Sequence, residues 1–176
     1  MYNTYLLVGP SNDPAKIRGL RSAVEAFKKI ASSKSLFLSR GDRSGTHVKE
    51  EGIWKLARVH PEGKRWYQQT GLGMGQTLAV ASEKQGYTLA DRGTYLALKK
   101  KIGLDLLAEG DPILLNPYHV IEVNSEKWPK VNGFGARAFA DFMVSQEVQQ
   151  MIRTFGMDQF SSPLFFPGAG KREEEL

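Results

Sequence analysis

The chain has 176 residues, 41% hydrophobic and 24% charged, which is the composition of a globular protein of one domain or two small lobes rather than of a disordered or fibrous chain. Twenty-four Lys and Arg against 19 Asp and Glu leave a net charge of +5, a field that favours anions. The basic residues are scattered apart from Lys99, Lys100 and Lys101, so no nucleic-acid partner is expected. The lack of cysteine excludes a disulfide framework, thiol catalysis and cysteine-ligated metal. His47, His60 and His119 are isolated, without metal-ligand spacing, and no apolar run reaches the roughly 18 residues of a membrane-spanning helix.

The opening MYNTYLLVGP lacks the basic start, long apolar core and small-residue cleavage site of a secretory signal. Residues 5–8 (YLLV), closed by Gly9 and Pro10, read instead as a strand buried on both faces. Chains seldom begin inside such a strand, and the expectation is a chain lacking an N-terminal part. After a turn at residues 11–14, Ser22 is placed to cap a helix whose Ala23, Ala26, Phe27 and Ile30 fall on helical spacing. Residues 35–39 form a compact strand, residues 40–46 a loop and residues 47–58 a helix with Ile53, Trp54 and Ala57 facing inward. Pro61 opens a predicted helix carrying Trp66 and Tyr67. The glycine-rich run 71–75 leads into a helix over 76–85, then a strand at 86–89, a helix through Tyr95 and Leu98, and strands at 104–108 and 117–123. Two closely spaced helices follow at 133–144 and 146–155, the second stopped by Gly156. The tail SSPLFFPGAG is extended and KREEEL is a solvated end. Strands alternating with helices argue for an α/β protein with a mostly parallel sheet.

The passage from strand to helix at residues 40–46 (RGDRSGT) carries the most chemistry. A strand ending at Ser39 and a helix starting near Thr46 leave backbone N–H groups unpaired at the helix start, and such a start attracts anions. Ser44 and Thr46 add hydroxyl donors, Gly45 lets a ligand approach the backbone, and Arg40 adds a planar charged fork. A structural reading fits the same residues: Asp42 or Ser44 caps the helix while Arg40 pairs with Asp42. Spacing alone leaves both open.

The run Ser39-Arg40-Gly41-Asp42-Arg43-Ser44-Gly45-Thr46-His47 resembles the anion-binding signature of tungstate-binding ABC-transporter proteins, and its Arg-x-Asp-x-Ser-Gly-Thr core is similar to that of phosphate-binding transport proteins. Further matches to the tungstate group are Trp66-Tyr67, Thr70-Gly71-x-Gly73-Met74-Gly75-x-Thr77-Leu78, Tyr87-Thr88-Leu89-x-Asp91-Arg92-Gly93-Thr94-Tyr95, Leu115-Asn116-Pro117-Tyr118 and Pro163-Leu164-Phe165-Phe166-Pro167, in the family order along the chain. The resemblance implies an α/β, type II periplasmic-binding-protein-like fold with an oxyanion held in the cleft between two lobes. Residues 9–111 would form one complete lobe carrying the anion loop. Residues 1–8 and 112–176 would supply the crossing strands and the C-terminal half of the second lobe. The family's export signal and N-terminal portion, with its Thr/Ser-rich anion-contacting loop, would be absent from this chain.

By the same resemblance the function is capture of a tetrahedral oxyanion, tungstate or molybdate, for an ABC permease in the membrane, in the periplasm, with no cofactor and no bond broken. Arg40 would supply charge and Ser44, Gly45 and Thr46 directed donors, with Ser39, Met74, Gly75 and Tyr118 as further candidates. The alternative is an effector-sensing domain of a transcription regulator, which reuses the fold and would be joined to a helix-turn-helix segment.

Gly71, Gly73 and Gly75 suggest a dinucleotide loop only superficially, because no strand is predicted before them; they are read as presenting the amides of Met74 and Gly75 at a helix start. Asp91-Arg92 is read as a helix-start acid with a structural ion pair, and Tyr118 as a buried aromatic near a hinge whose hydroxyl could reach the anion. His47, with no nucleophile or orienting group beside it in sequence, is read as a surface helical histidine. Trp54, Trp66, Phe134, Phe139 and Phe142 fit packed helix faces better than a base-stacking platform. Phe134, Phe139, Phe142, Met151 and Phe155 would ordinarily pack against the absent portion, so a homodimer through the incomplete lobe is expected.

Overall fold

The computed structural model describes residues 1–172 and Glu175; of the predicted solvated end, Glu173, Glu174 and Leu176 lie outside the described residues. The chain divides into two compact units, one of residues 4–115 and one of residues 1–3 with 116–176. The breaks fall at 3/4 and 115/116 rather than at the expected 8/9 and 111/112. The reason lies in β1 (Tyr2–Gly9), whose Leu6, Leu7 and Val8 are core residues of the larger unit.

In that unit β1 runs antiparallel to both β4 (Thr88–Asp91) and β5 (Asp105–Ala108). Parallel pairing occurs on the other side, between β2 (Phe37–Ser39) and β3 (Tyr67–Gln69), with a parallel bridge from Phe37 to Tyr87 joining β2 to the approach to β4. The expectation of a mostly parallel sheet is thus corrected. β1 lies between β4 and β5 and is antiparallel to each, a pairing that the alternation of strands and helices along the chain does not encode.

Helix α1 (Ala23–Ser33) starts where the Ser22 hydroxyl accepts the Glu25 N–H, and it buries Ala23, Ala26, Phe27 and Ile30. These pack with Ile53, Trp54 and Ala57 of α2 (Gly45–Ala57) in one cluster, in which the Phe27 and Trp54 ring centroids are 4.4 Å apart. Each large apolar side chain so buried contributes about 1.5–3 kcal/mol. A second cluster joins Leu6, Val8 and Leu38 to α3 (Met74–Lys84) and to Tyr95 of α4 (Arg92–Leu98).

The predicted helix after Pro61 is not formed. Lys64 N–H closes a turn onto the Pro61 carbonyl at 3.0 Å, Gly63 adopts φ +74°, and Tyr67 enters β3 with its ring stacked on Phe37. A strand therefore does precede the glycine run at 71–75, contrary to expectation.

In the smaller unit, Tyr2 exchanges backbone hydrogen bonds with Phe166 at 3.0 and 2.8 Å. The strand expected over 117–123 is instead β6 (Leu115–Pro117). Residues 118–123 are irregular: Pro117 has no N–H to continue a ladder, and beyond it Ile121 is 85% exposed. Helices α5 (Gly133–Val144) and α6 (Gln146–Thr154) are capped by Asn132 and Ser145, and Gly156, at φ +90°, follows the end of α6 and precedes α7 (Met157–Phe160). Phe134, Phe139 and Phe142 do not form a packed face, and Phe134 is 88% exposed. No helix among the described residues is long and apolar enough to cross a membrane.

Candidate anion-binding site

Because β2 and β3 are parallel neighbours, their C-terminal ends share one sheet edge, and each leads through a short loop into a helix, α2 or α3. Thr70 ties the two loops together. Its N–H and hydroxyl reach the Ser39 carbonyl at 2.9 and 3.2 Å, and the next N–H, of Gly71, donates to the Arg40 carbonyl at 2.8 Å. Gly41 turns at φ +62°, where a Cβ would lie 2.7 Å from Cβ of Gln69, so the loop can lie this close to β3 only with glycine there.

Ser44 is the N-cap of α2, its Oγ accepting the His47 N–H at 3.4 Å. One Asp42 oxygen accepts the Ser44 N–H at 3.1 Å and the other pairs with Nη2 of Arg40. Slight burial raises the Asp42 carboxyl, but the Ser44 hydroxyl and N–H and the Arg40 guanidinium outweigh it and hold the group at about 2. Both features of the structural reading are therefore present, the Ser44 cap and the Arg40–Asp42 pair.

They do not exhaust the donors. The N–H groups of Gly45 and Thr46 open α2 and have no intrahelical acceptor. The Thr46 hydroxyl lies 3.5 Å from Nη1 of Arg40, and Nε of Arg40 is buried with no partner among the described residues. An orphaned guanidinium nitrogen beside an open helix start is an arrangement that favours negative charge.

The other predicted residues divide. Met74 and Gly75 open α3, whose N-cap Gly73 offers no side-chain acceptor; Met74 itself is buried in the core. Ser39 is fully buried beneath the loop, its hydroxyl accepting the Gly41 N–H at 3.2 Å. Tyr118 belongs to the smaller unit and is 42% exposed rather than buried, with its ring edge-on to Phe165 and its hydroxyl accepting from Nδ2 of Asn116 at 3.0 Å. His47 is only 5% exposed, not a surface histidine, because its Nδ1 turns back to accept the Arg43 N–H at 3.0 Å.

Sequence reasoning missed a buried polar cluster under the loop. Glu50, 2% exposed, accepts from Nε1 of Trp54 at 3.0 Å and from the Tyr67 hydroxyl at 2.8 Å. Burial pushes the Glu50 carboxyl up, against the opposing pull of Ser39, Tyr67, Trp54 and His47. Burial and the neighbouring Glu50 push the Tyr67 phenol up as well. The available signal was Glu50 itself, an acid in the register Thr46, Glu50, Ile53, Trp54, Ala57 that marks the inward face of α2. Tyr5 was also missed: its hydroxyl lies 3.6 Å from where a Gly45 Cβ would stand, with Lys49 Nζ 5.9 Å from its ring centroid.

Residues 1–147 match the PBP superfamily domain. The chain is 46% identical over 173 residues to the tungstate-binding protein TupA of Peptoclostridium acidaminophilum, an alignment covering 97% of this chain and 60% of that protein. Among solved structures it is similar to the tungstate-binding protein TupA from Desulfovibrio alaskensis G20, with a TM-score of 0.80 and 40% identity over 96% of this chain and 68% of that one. It is likewise similar to the tungstate ABC transporter structure from Geobacter sulfurreducens, with a TM-score of 0.76 and 42% identity over 88% of this chain and 66% of that one. The chain thus spans about 60% of the length of the first of these relatives. Sequence and fold agree: the chain belongs to the PBP superfamily, in the family of these tungstate-binding proteins.

Proposed function

We propose that this chain binds a tetrahedral oxyanion, tungstate or molybdate, at the 40–46 loop, as a substrate-binding component of an ABC uptake system acting outside the cytoplasm. Its partner in that role is a membrane permease, and it binds without catalysing a reaction. The observation that carries this reading is the buried, unpartnered Nε of Arg40 beside the open N–H groups of Gly45 and Thr46. Descriptions of the relatives as tungstate binders support it over the effector-sensing alternative.

Arg40 supplies the charge, and Gly45 N–H, Thr46 N–H and the Thr46 hydroxyl supply direction. The Ser44 hydroxyl, whose oxygen accepts the His47 N–H, has its hydrogen to donate to the anion as well. A charge-assisted hydrogen bond contributes about 1.5–3 kcal/mol, and nanomolar binding requires about 12 kcal/mol. Several such donors must act together, and the start of α3 at Met74 and Gly75 is the next source along the same sheet edge.

Calorimetric titration with sodium tungstate tests the assignment. Arg40→Ala is expected to weaken binding at least about tenfold, or ~1.4 kcal/mol. Arg43→Ala is expected to leave it unchanged, since that side chain is exposed. Equal affinities for the two variants would remove Arg40 from the site.

A further inference from the structure

We propose that His47 is the positioning residue of the anion loop: its neutral imidazole fixes the turn at Arg43, and through it the Asp42–Arg40 pair, without bringing a negative charge to the start of α2. The proposal rests on reading the loop as the oxyanion site.

The geometry is a capping box moved back by one residue. In the usual box the N-cap hydroxyl accepts the N–H three residues on, and a Glu or Gln at that third position reaches back to the N-cap N–H. Here the Ser44 hydroxyl accepts the His47 N–H at 3.4 Å, but the Ser44 N–H is already taken by Asp42. The His47 side chain reaches the N–H before it, and Nδ1 accepts from Arg43 at 3.0 Å. Arg43 stands at φ +58°, a left-handed conformation that costs any residue with a Cβ, and this bond holds it there. Asp42 and Ser44 flank the turn so held, and Asp42 pairs with Arg40.

A ring that accepts at Nδ1 keeps its proton on Nε2, so the imidazole making this bond is uncharged. Nε2 is buried without a hydrogen bond, 3.4 Å from Oε1 of Glu51. A carboxylate at this position, the usual partner in a capping box, would make the same bond and be favoured by the helix dipole. It would also put a charge in the same first turn as the open N–H groups of Gly45 and Thr46, at a side chain buried from solvent. No cation in the loop is left to balance it, since Arg40 is committed to Asp42 and the Arg43 side chain is exposed. An arriving anion would meet like charge. Imidazole supplies the acceptor alone.

The test pairs hydrogen exchange of the ligand-free chain with calorimetric titration by sodium tungstate, both at about pH 8. His47→Asn and His47→Asp each place an oxygen where Nδ1 stands, one neutral and one charged, whereas His47→Phe fills the ring's space without an acceptor. The Arg43 amide is expected to stay protected in His47→Asn and His47→Asp and to exchange at least about tenfold faster in His47→Phe. The Leu38 amide, bonded to the Tyr87 carbonyl at 2.8 Å, reports whether the core is intact. Tungstate affinity should recover to within about threefold of the parent in His47→Asn and fall at least about tenfold in both His47→Phe and His47→Asp. A merely structural histidine would instead let affinity follow Arg43 protection, with His47→Asp binding like His47→Asn. Equal affinities for those two, unchanged Arg43 exchange in His47→Phe, or His47→Asn binding no tighter than His47→Phe overturns the proposal. Where His47→Phe also exposes Leu38, the Asn and Asp variants decide alone. A parent chain that binds no tungstate, while Arg43 exchange still separates His47→Asn from His47→Phe, would defeat the oxyanion reading and leave His47 as the residue that holds the turn.

Discussion

Arg40 pairs with Asp42 through one nitrogen and keeps another, Nε, without a partner among the described residues. Because the Asp42 carboxyl is held at about 2, the Arg40–Asp42 pair persists from neutral pH well into the acid range and is lost only as pH falls through that value. Each Asp42 oxygen is already held within the loop, one by Arg40 and the other by the Ser44 N–H. Tungstate carries no proton near neutral pH and needs only donors. Hydrogen phosphate brings an O–H that requires an acceptor in a dry site, and leaving it unpaired costs several kcal/mol, on the order of 2–7. Phosphate is therefore expected not to displace tungstate at comparable concentration in a competition titration. Displacement at equal concentration would assign the loop to phosphate.

Among the elements, α1 and α2 offer a controlled comparison, since each is capped by a serine three residues before the N–H it accepts. Removing such a cap costs about 0.5–2 kcal/mol. Ser22 is outside the 40–46 loop, whereas Ser44 belongs to it. Ser22→Ala and Ser44→Ala are thus both expected to lower the thermal unfolding midpoint, and only Ser44→Ala to weaken tungstate binding. Affinity unchanged in Ser44→Ala would place the α2 cap outside the site. These helices were legible because their apolar residues repeat locally, as Ala23, Ala26, Phe27 and Ile30 do. β3 was not: it is three residues long, and Trp66-Tyr67 after a proline pattern equally well as a helix until β2 lies alongside. The direction of β1 was hidden for the same reason, since a ladder's sense is fixed by its partners and not by its own residues. The site divides along that line. Arg40, Ser44, Gly45 and Thr46 share one loop and could be read together, while Ser39, Glu50 and Tyr67 come from three elements and meet only through the β2–β3 pairing.

The whole molecule carries its apolar residues unevenly. Residues 4–115 enclose two buried clusters, whereas the smaller unit leaves Phe134, Phe139 and Phe142 of α5, Met151 of α6 and the following Phe155 exposed to solvent. Each such side chain, if covered, would gain about 1.5–3 kcal/mol, and an exposed apolar patch of several large residues is the usual mark of an interface. A second copy of the chain presents the same residues, and a two-fold pairing would cover both sets at once. Light scattering at micromolar protein is accordingly expected to show a dimer or larger species. The double substitution Phe139→Ser with Phe142→Ser should shift it toward monomer without changing tungstate affinity per chain, because the Arg40 loop belongs to the other unit with its own core. A parent chain that stays monomeric over the same concentrations would mean that these side chains remain in water, and the pairing would be refuted.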